Sequence, residues 1–209
     1  MREATGRSMN RIITIGREFG SGGREVGKRL SEALGIAYYD REIVEEIAKR
    51  TQLAEEYVHQ IVEHQPKLQY PITIGHTLHA GGSDYLLRQQ AAVFAEQATV
   101  LREMAEKSDC VIVGRCADYI LRESAPLRLF VYADMEARMA RCREKAPEAE
   151  ELTDRQLRRR IREVDRHRAR YYTYYTGKTW GARENYDLAI NTTSISPKEA
   201  AEMLLHLLR

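Results

Sequence analysis

Nothing in the 209 residues is apolar for long enough to cross a membrane as a helix. The opening MREATGRSMN carries no apolar segment of the kind a secretory leader uses. Cysteine is scarce. Cys110, Cys116 and Cys142 are an odd number with no CxxC pair, so reduced thiols in core or surface positions are expected, and the cytoplasm is the expected location. Proline stands at 5 residues and tryptophan at one, too few for a low-complexity or collagen-like chain. Charge of one sign is also lacking: 33 Lys and Arg against 31 Asp and Glu give +2, which argues against a nucleic-acid binder. What is present is ordinary globular material, 43% hydrophobic and 31% charged. A chain of this length buries roughly 70% of its unfolded surface, enough for a core without disulfide or metal staples.

Hydrophobic periodicity divides the chain into alternating strands and helices. Arg11 to Ile15 reads as a short buried strand, and residues 24–34 as a helix through Val26, Leu30, Ala33 and Leu34, closed by Gly35. Residues 36–39 predict a second strand, residues 41–63 two helices, and Asp84 to about Lys107 a long helix capped by Ser83. Between them, residues 64–82 hold Pro66, Pro71, Gly75, Gly81 and Gly82 and predict a mobile loop in an inserted lobe. Further strands are expected at 110–113, 127–133 and 188–190, with a helix at 135–145. Thr153 with Gln156, and Ser196 with Glu199, are two capping-box signals, the first opening an arginine-rich helix and the second a C-terminal one. The alternation predicts an α/β fold with a parallel sheet.

Two features point to anions. The segment Gly16-Arg-Glu-Phe-Gly20-Ser-Gly22-Gly23 lies between a strand and a helix, where backbone N–H groups and the helix dipole can close on a phosphate. It also reads as a glycine-rich turn that merely joins the two elements. A full P-loop ends in Gly-Lys-Ser/Thr, whereas Gly22 is followed here by Gly23 and Arg24. The second feature is the run Arg155, Arg158, Arg159, Arg160, Arg162, Arg166, Arg168 and Arg170, with no lysine in it. A solvated helix face is the plain alternative; planar, bidentate phosphate binding is the reason to prefer arginine throughout. The cluster from Tyr171 to Tyr175, with Trp180, reads as packing onto the core in preference to base stacking. His76 and His79, near Asp84, are too few for a metal site.

Further segments complete a pattern. Val111-Ile-Val-Gly-Arg115 is a strand ending in Gly-Arg, and residues 127–133 lead into Glu136-Ala-Arg138-Met-Ala-Arg141. Arg162-Glu-Val-Asp165-Arg-His-Arg168 closes the arginine run, and Asn185 to Thr193 precedes the last helix. With the glycine segment, this order resembles the cytidylate kinases, and within them the divergent cytidylate-kinase-like branch, from about Arg11 to the C-terminus with residues 52–82 unmatched.

The resemblance implies a three-layer P-loop kinase fold in one domain over residues 1–209. It has a parallel five-stranded sheet, an inserted helical acceptor-binding lobe at about 40–107 and an Arg-rich lid at about 145–180. The implied reaction is phosphorylation of CMP or dCMP by ATP with Mg²⁺, with small nucleotides as partners, no nucleic acid or membrane, and a monomer or homodimer. Donor phosphates would fall to Arg17, Gly20, Ser21, Gly22, Gly23 and Arg24, flanked by Arg138 and Arg141. Asp40, Arg41 and Arg115 would meet the acceptor, and Asp165 and Arg168, with Arg162, would act at the lid. The chain departs from the family where Gly23 replaces the P-loop lysine and Arg24 the metal-binding hydroxyl, and where Val113 and Cys116 flank Gly-Arg in place of acids. Arg17 or Arg24 are candidate sources of the missing charge, Glu18 and Asp40 candidate metal ligands. A same-fold kinase with another acceptor and a binding-only regulator are the alternatives these departures leave open.

Overall fold

The computed structural model describes residues 10–63, 81–145 and 151–208. Its five strands are β1 (Ile12–Arg17), β2 (Ala37–Tyr39), β3 (Cys110–Val113), β4 (Leu127–Tyr132) and β5 (Leu188–Asn191). They form one sheet in the order β2-β3-β1-β4-β5, with every neighbouring pair parallel. β1 is central, with Ile15 opposite Val113 on one side and Leu129 on the other.

Alternation along the strands sends two apolar sets to opposite faces. Ile13, Ile15, Val111, Val113, Leu129 and Val131 pack under α1 (Gly23–Leu34) and the C-terminal helix α8 (Pro197–Leu208), through Val26, Leu30, Ala201 and Leu204. Ile12, Cys110 and Ile112 face the other way and meet α2 (Glu42–Thr51), α3 (Glu55–Glu63) and α4 (Gly81–Lys107) through Ile43, Ile47, Val58, Val93 and Leu101. A sheet buried on both faces is what uninterrupted strands such as Cys110–Val113 require.

The helices α2, α3 and α4 lie between β2 and β3 along the chain and pack together as a helical lobe. Arg50 ties its helices together, forking to Glu46 at 2.6 Å, Glu96 at 3.3 Å and Glu103 at 2.7 Å. The expected start of the long helix needs correction: α4 begins at Gly81, so Gly81 and Gly82 are helical and Ser83 is not its cap. The rest of the expected loop, with His76 and His79, lies outside the described residues.

β3 runs into the short α5 (Ala117–Ile120), and β4 into α6 (Met135–Lys145). The arginine-rich helix is α7 (Asp154–Thr176), opened by the expected capping box: the Gln156 amide donates to Thr153 Oγ1 at 3.4 Å, and the Thr153 amide to Gln156 Oε1 at 2.9 Å. Leu157 and Ile161 pack α7 against Met139 and Cys142 of α6. About three turns on, Tyr171 and Tyr172 enter the lobe-side core, Phe94 stacks on Tyr175 with centroids 3.9 Å apart, and Trp180 meets Phe130 edge-on. The aromatic cluster is core packing. All three cysteines are buried free thiols. No helix among the described residues is long and apolar enough to cross a membrane.

The first turn of α7 offers a graded test. Thr153→Ala removes the cap and is expected to lower unfolding free energy by about 1 kcal/mol. Leu157→Ala, at a fully buried position, is expected to lower it by about 2–5 kcal/mol. Urea denaturation of both variants checks the order.

Candidate functional site

β1 ends at Arg17, and the glycine loop carries the chain from there into α1. Gly20 and Gly22 hold φ of +79° and +83°, the left-handed backbone that lets the loop turn back over the strand end. The loop is braced from within: Ser21 is fully buried, its hydroxyl donates to Glu18 O at 2.9 Å, and its oxygen accepts from the Gly23 amide at 3.4 Å. It is also held from outside, because the buried Thr192 hydroxyl, just past β5, donates to Ser21 O at 2.7 Å.

A second set of bonds ties the loop to the arginine-rich helix α7. Arg138 of α6 is 5% exposed. Its Nε donates to Phe19 O at 2.7 Å, one terminal nitrogen pairs with Glu18 at 3.1 Å, and the other pairs with Asp165 of α7. The other Asp165 oxygen accepts from the Phe19 amide at 2.8 Å. One carboxylate thus spans loop, α6 and α7. Burial pushes the Glu18 carboxyl above its ordinary range, with Arg138 pulling against that. Arg141 points to the β5–α8 connection, donating to the carbonyl of Thr192 and to that of Ile195.

β3 ends in an unusual turn. Gly114, Arg115 and Cys116 are all left-handed, with φ of +75°, +61° and +53°. A bulky residue in that region costs about 1–3 kcal/mol and is sustained only where its surroundings over-determine it. The turn is pinned by the Gly114 amide to Ile15 O at 2.9 Å and by Gln97, whose Nε2 donates to Arg115 O at 2.9 Å. Gln97 sits on α4, is fully buried, and accepts from the Tyr171 hydroxyl of α7 at 3.3 Å. The backbone of Arg115 is therefore held jointly by the lobe and the lid helix.

Two cavities open on these groups. The larger, about 510 Å³, lies between the glycine loop, α1, α6 and α7. It is bordered by Gly20, Gly22 and Gly23 and by the cations Arg17, Arg24, Lys28, Arg141, Lys145, Arg160 and Arg168, with Glu18 and Glu25 the carboxylates among the described residues. The smaller, about 40 Å³, lies at the ends of β1 and β3, between Arg115, Asp118, Tyr172 and Tyr186. Arg17 and Arg168 border both. They also touch: Arg168 donates to Arg17 O at 3.3 Å and lies 5.7 Å over the Phe19 ring. Asp118 accepts from Tyr172 at 2.6 Å, and burial still drives its carboxyl above the ordinary range.

The structure sorts the residues singled out in the sequence. Arg17, Gly20, Gly22, Gly23, Arg24, Arg141, Arg115 and Arg168 border one or both cavities. Ser21, Arg138 and Asp165 border neither and brace the loop. Asp40 is buried, paired with Arg24 at 2.5 Å and with Arg17 at 3.9 Å. Arg41, at the start of α2, and Arg162, beside the buried Ile161, are exposed and reach neither cavity. Glu18 and Asp40, the candidate metal ligands, are both engaged by arginine, and no group of three metal-ligating side chains occurs among the described residues. Gln97, Asp118, Lys28 and Lys145 were not singled out. Asp118 lies three residues past Arg115 and was within reach of motif reading; Gln97, on a different helix, was not.

Over 197 residues the chain is 27% identical to a cytidylate kinase of Archaeoglobus fulgidus, covering 92% of each. A crystal structure of an uncharacterized protein from Eubacterium ventriosum aligns with 95% of this chain and 98% of its own, at 25% identity and a TM-score of 0.68. A shikimate kinase from Bacteroides thetaiotaomicron aligns with 95% of this chain and 98% of its own, at 16% identity and a TM-score of 0.55, a likeness of fold alone. A model of the cytidylate kinase-like family matches residues 12–194, so the resemblance carried by the sequence motifs stands, and the chain belongs to that family.

Proposed function

We propose that the protein transfers the γ-phosphoryl group of ATP to a nucleoside monophosphate, CMP or dCMP. The observation that carries this reading is that the two cavities meet at Arg17 and Arg168. A donor held in the larger cavity and an acceptor phosphate in the smaller would face each other across these two guanidinium groups. The cytidylate kinase relative supports the choice of acceptor.

Phosphoryl transfer asks the protein for positioning and for neutralisation of charge on the equatorial oxygens. The glycine loop offers backbone N–H groups and the N-terminus of α1 to the donor phosphates. Arg141, Lys145 and Arg160 supply positive charge on the α6 and α7 side of the cleft. Mg²⁺ enters with ATP as part of the substrate, since this ion is commonly held through phosphates and water with few protein ligands. Arg168 stands where the transferring group would pass. Asp165 and Arg138 fix its helix against the loop, so the guanidinium is placed before the substrates arrive.

A cavity of about 40 Å³ admits a few atoms, not a nucleotide. The acceptor's phosphate fits the place beside Arg115, and its sugar and base require the lobe and α7 to part. Opening of that kind, followed by closure that excludes water, is the usual cycle of such kinases. Gln97, bonded to Arg115 and Tyr171, would lie at the point where lobe and lid separate.

Two predictions follow from these placements. Arg168→Ala is expected to lower kcat by about 100-fold or more with the fold intact, while Arg115→Ala raises KM for the acceptor and leaves KM for ATP near its original value. Steady-state kinetics over a panel of nucleoside monophosphates checks both and reads the acceptor at the same time; turnover on a different acceptor would correct the CMP assignment. The second concerns pH. Because Asp118 has a folded pKa above its ordinary value of 3.8, it favours the folded state below that value, and this contribution is lost as pH rises through the folded value. Asp118→Asn is therefore expected to raise the melting temperature at pH 7 and to change it much less at pH 4.

A further inference from the structure

We infer that Arg17 supplies the phosphate-directed charge that a P-loop lysine ordinarily provides, in a backbone whose packing of β1 against α1 leaves no room for a side chain at position 23. The inference rests on the phosphoryl-transfer reading and adds to it the identity of the group that replaces the lysine.

The sterics are specific. A Cβ at position 23 would stand 2.5 Å from Arg17 Cβ and 3.2 Å from its Cγ. Arg17 Cβ is fixed to the backbone, so no rotation of the arginine relieves that contact. At the other end, a Cβ at position 114 would stand 1.7 Å from one terminal nitrogen of Arg17 and 2.8 Å from Cζ. The side chain thus leaves the end of β1, passes under the start of α1 where the lysine would be rooted, and lays its guanidinium on the Gly114 backbone. Any side chain at 23 meets the Cβ that every residue but glycine carries at 17, and stands 3.2 Å from Val131 Cβ, so this backbone gives a lysine at 23 no root while residue 17 has a side chain.

The chemistry agrees. Arg17 is 7% exposed, and burying a permanent cation is costly unless anions face it. Asp40 lies 3.9 Å from it and 2.5 Å from Arg24, so the two guanidinium groups converge on a shared carboxylate. A phosphate chain entering the larger cavity would bring the negative charge that this pair of cations attracts. Arg24, the other candidate, has a side chain 60% exposed and borders the larger cavity only, whereas Arg17 borders both. Arginine also holds a planar fork toward phosphate oxygens, which suits it to a place between two phosphate groups.

The test uses the full-length protein with two readouts, equilibrium binding of tripolyphosphate and steady-state turnover, with melting temperature recorded for every variant. Arg17→Met, which keeps most of the buried volume, is expected to weaken tripolyphosphate binding at least tenfold and to lower kcat at least 100-fold; Arg17→Lys should fall between. An Arg17→Met protein that is folded, binds tripolyphosphate and turns over like the original would overturn the inference. Gly23→Ala is expected to lower the melting temperature through the clash with Arg17 Cβ, and an unchanged melting temperature would overturn the steric half. Restoring the lysine is the sharpest arm: Arg17→Gly combined with Gly23→Lys should recover tripolyphosphate affinity lost in Arg17→Gly alone, and no recovery counts against the exchange. If the original protein turns over no nucleotide while its tripolyphosphate binding still depends on Arg17, the kinase reading fails and the assignment of Arg17 stands.

Discussion

Guanidinium groups crowded at the carboxyl ends of parallel strands repel one another unless carbonyl dipoles or carboxylates lie between them, and the site is arranged around that constraint. Arg17, Arg115 and Arg138 are all less than a tenth exposed. Arg138 meets it with Glu18, Asp165 and the Phe19 carbonyl. Arg17 meets it with Asp40, which also serves Arg24. These bonds hold the charges and at the same time fix the glycine loop against α6 and α7. The order of the site and the burial of its cations are one property.

The same bonds make the lid helix part of the site. α7 is anchored at one end by Leu157 and Ile161, along its middle by Asp165 and Arg168, and at its far end by Tyr171 and Tyr172. Its bonds therefore run from the lobe, through Gln97 and Tyr171, to the loop, through Asp165 and Phe19. The eight-arginine run divides accordingly. Arg168 turns inward, Arg160 edges the larger cavity and Arg158 pairs with Glu136, while Arg155, Arg159, Arg162, Arg166 and Arg170 are exposed, so part of the run is a solvated face and part lies at the cavity.

The five strands, the helices between β2 and β3, both capping boxes and the glycine loop were legible in the sequence because each is a local pattern: an apolar run, a 3.6-residue period, a Ser or Thr three residues before Gln or Glu. The start of α4 was misplaced because Gly81 and Gly82 read as loop by local propensity. Roles that depend on register across the fold were not legible. Nothing near Asp165 shows that its partner is the amide of Phe19, 146 residues away, and nothing near Gln97 shows that it will hold the Arg115 carbonyl. The absence of a lysine at 23 was plain from the sequence, but the close approach of position 23 to Arg17 Cβ needs the third dimension, because the two meet only once β1 and α1 are packed together.

The central claim is that the two cavities are halves of one site, joined at Arg17 and Arg168. A bisubstrate ligand, adenosine and cytidine linked through five phosphates, tests it directly by calorimetric titration against ATP and CMP alone. Two halves of one site make the linked ligand's second contact intramolecular, so it should bind at least tenfold more tightly than ATP, with the gain lost in Arg168→Ala. Binding no tighter than ATP would show that the cavities do not act together and would contradict the account.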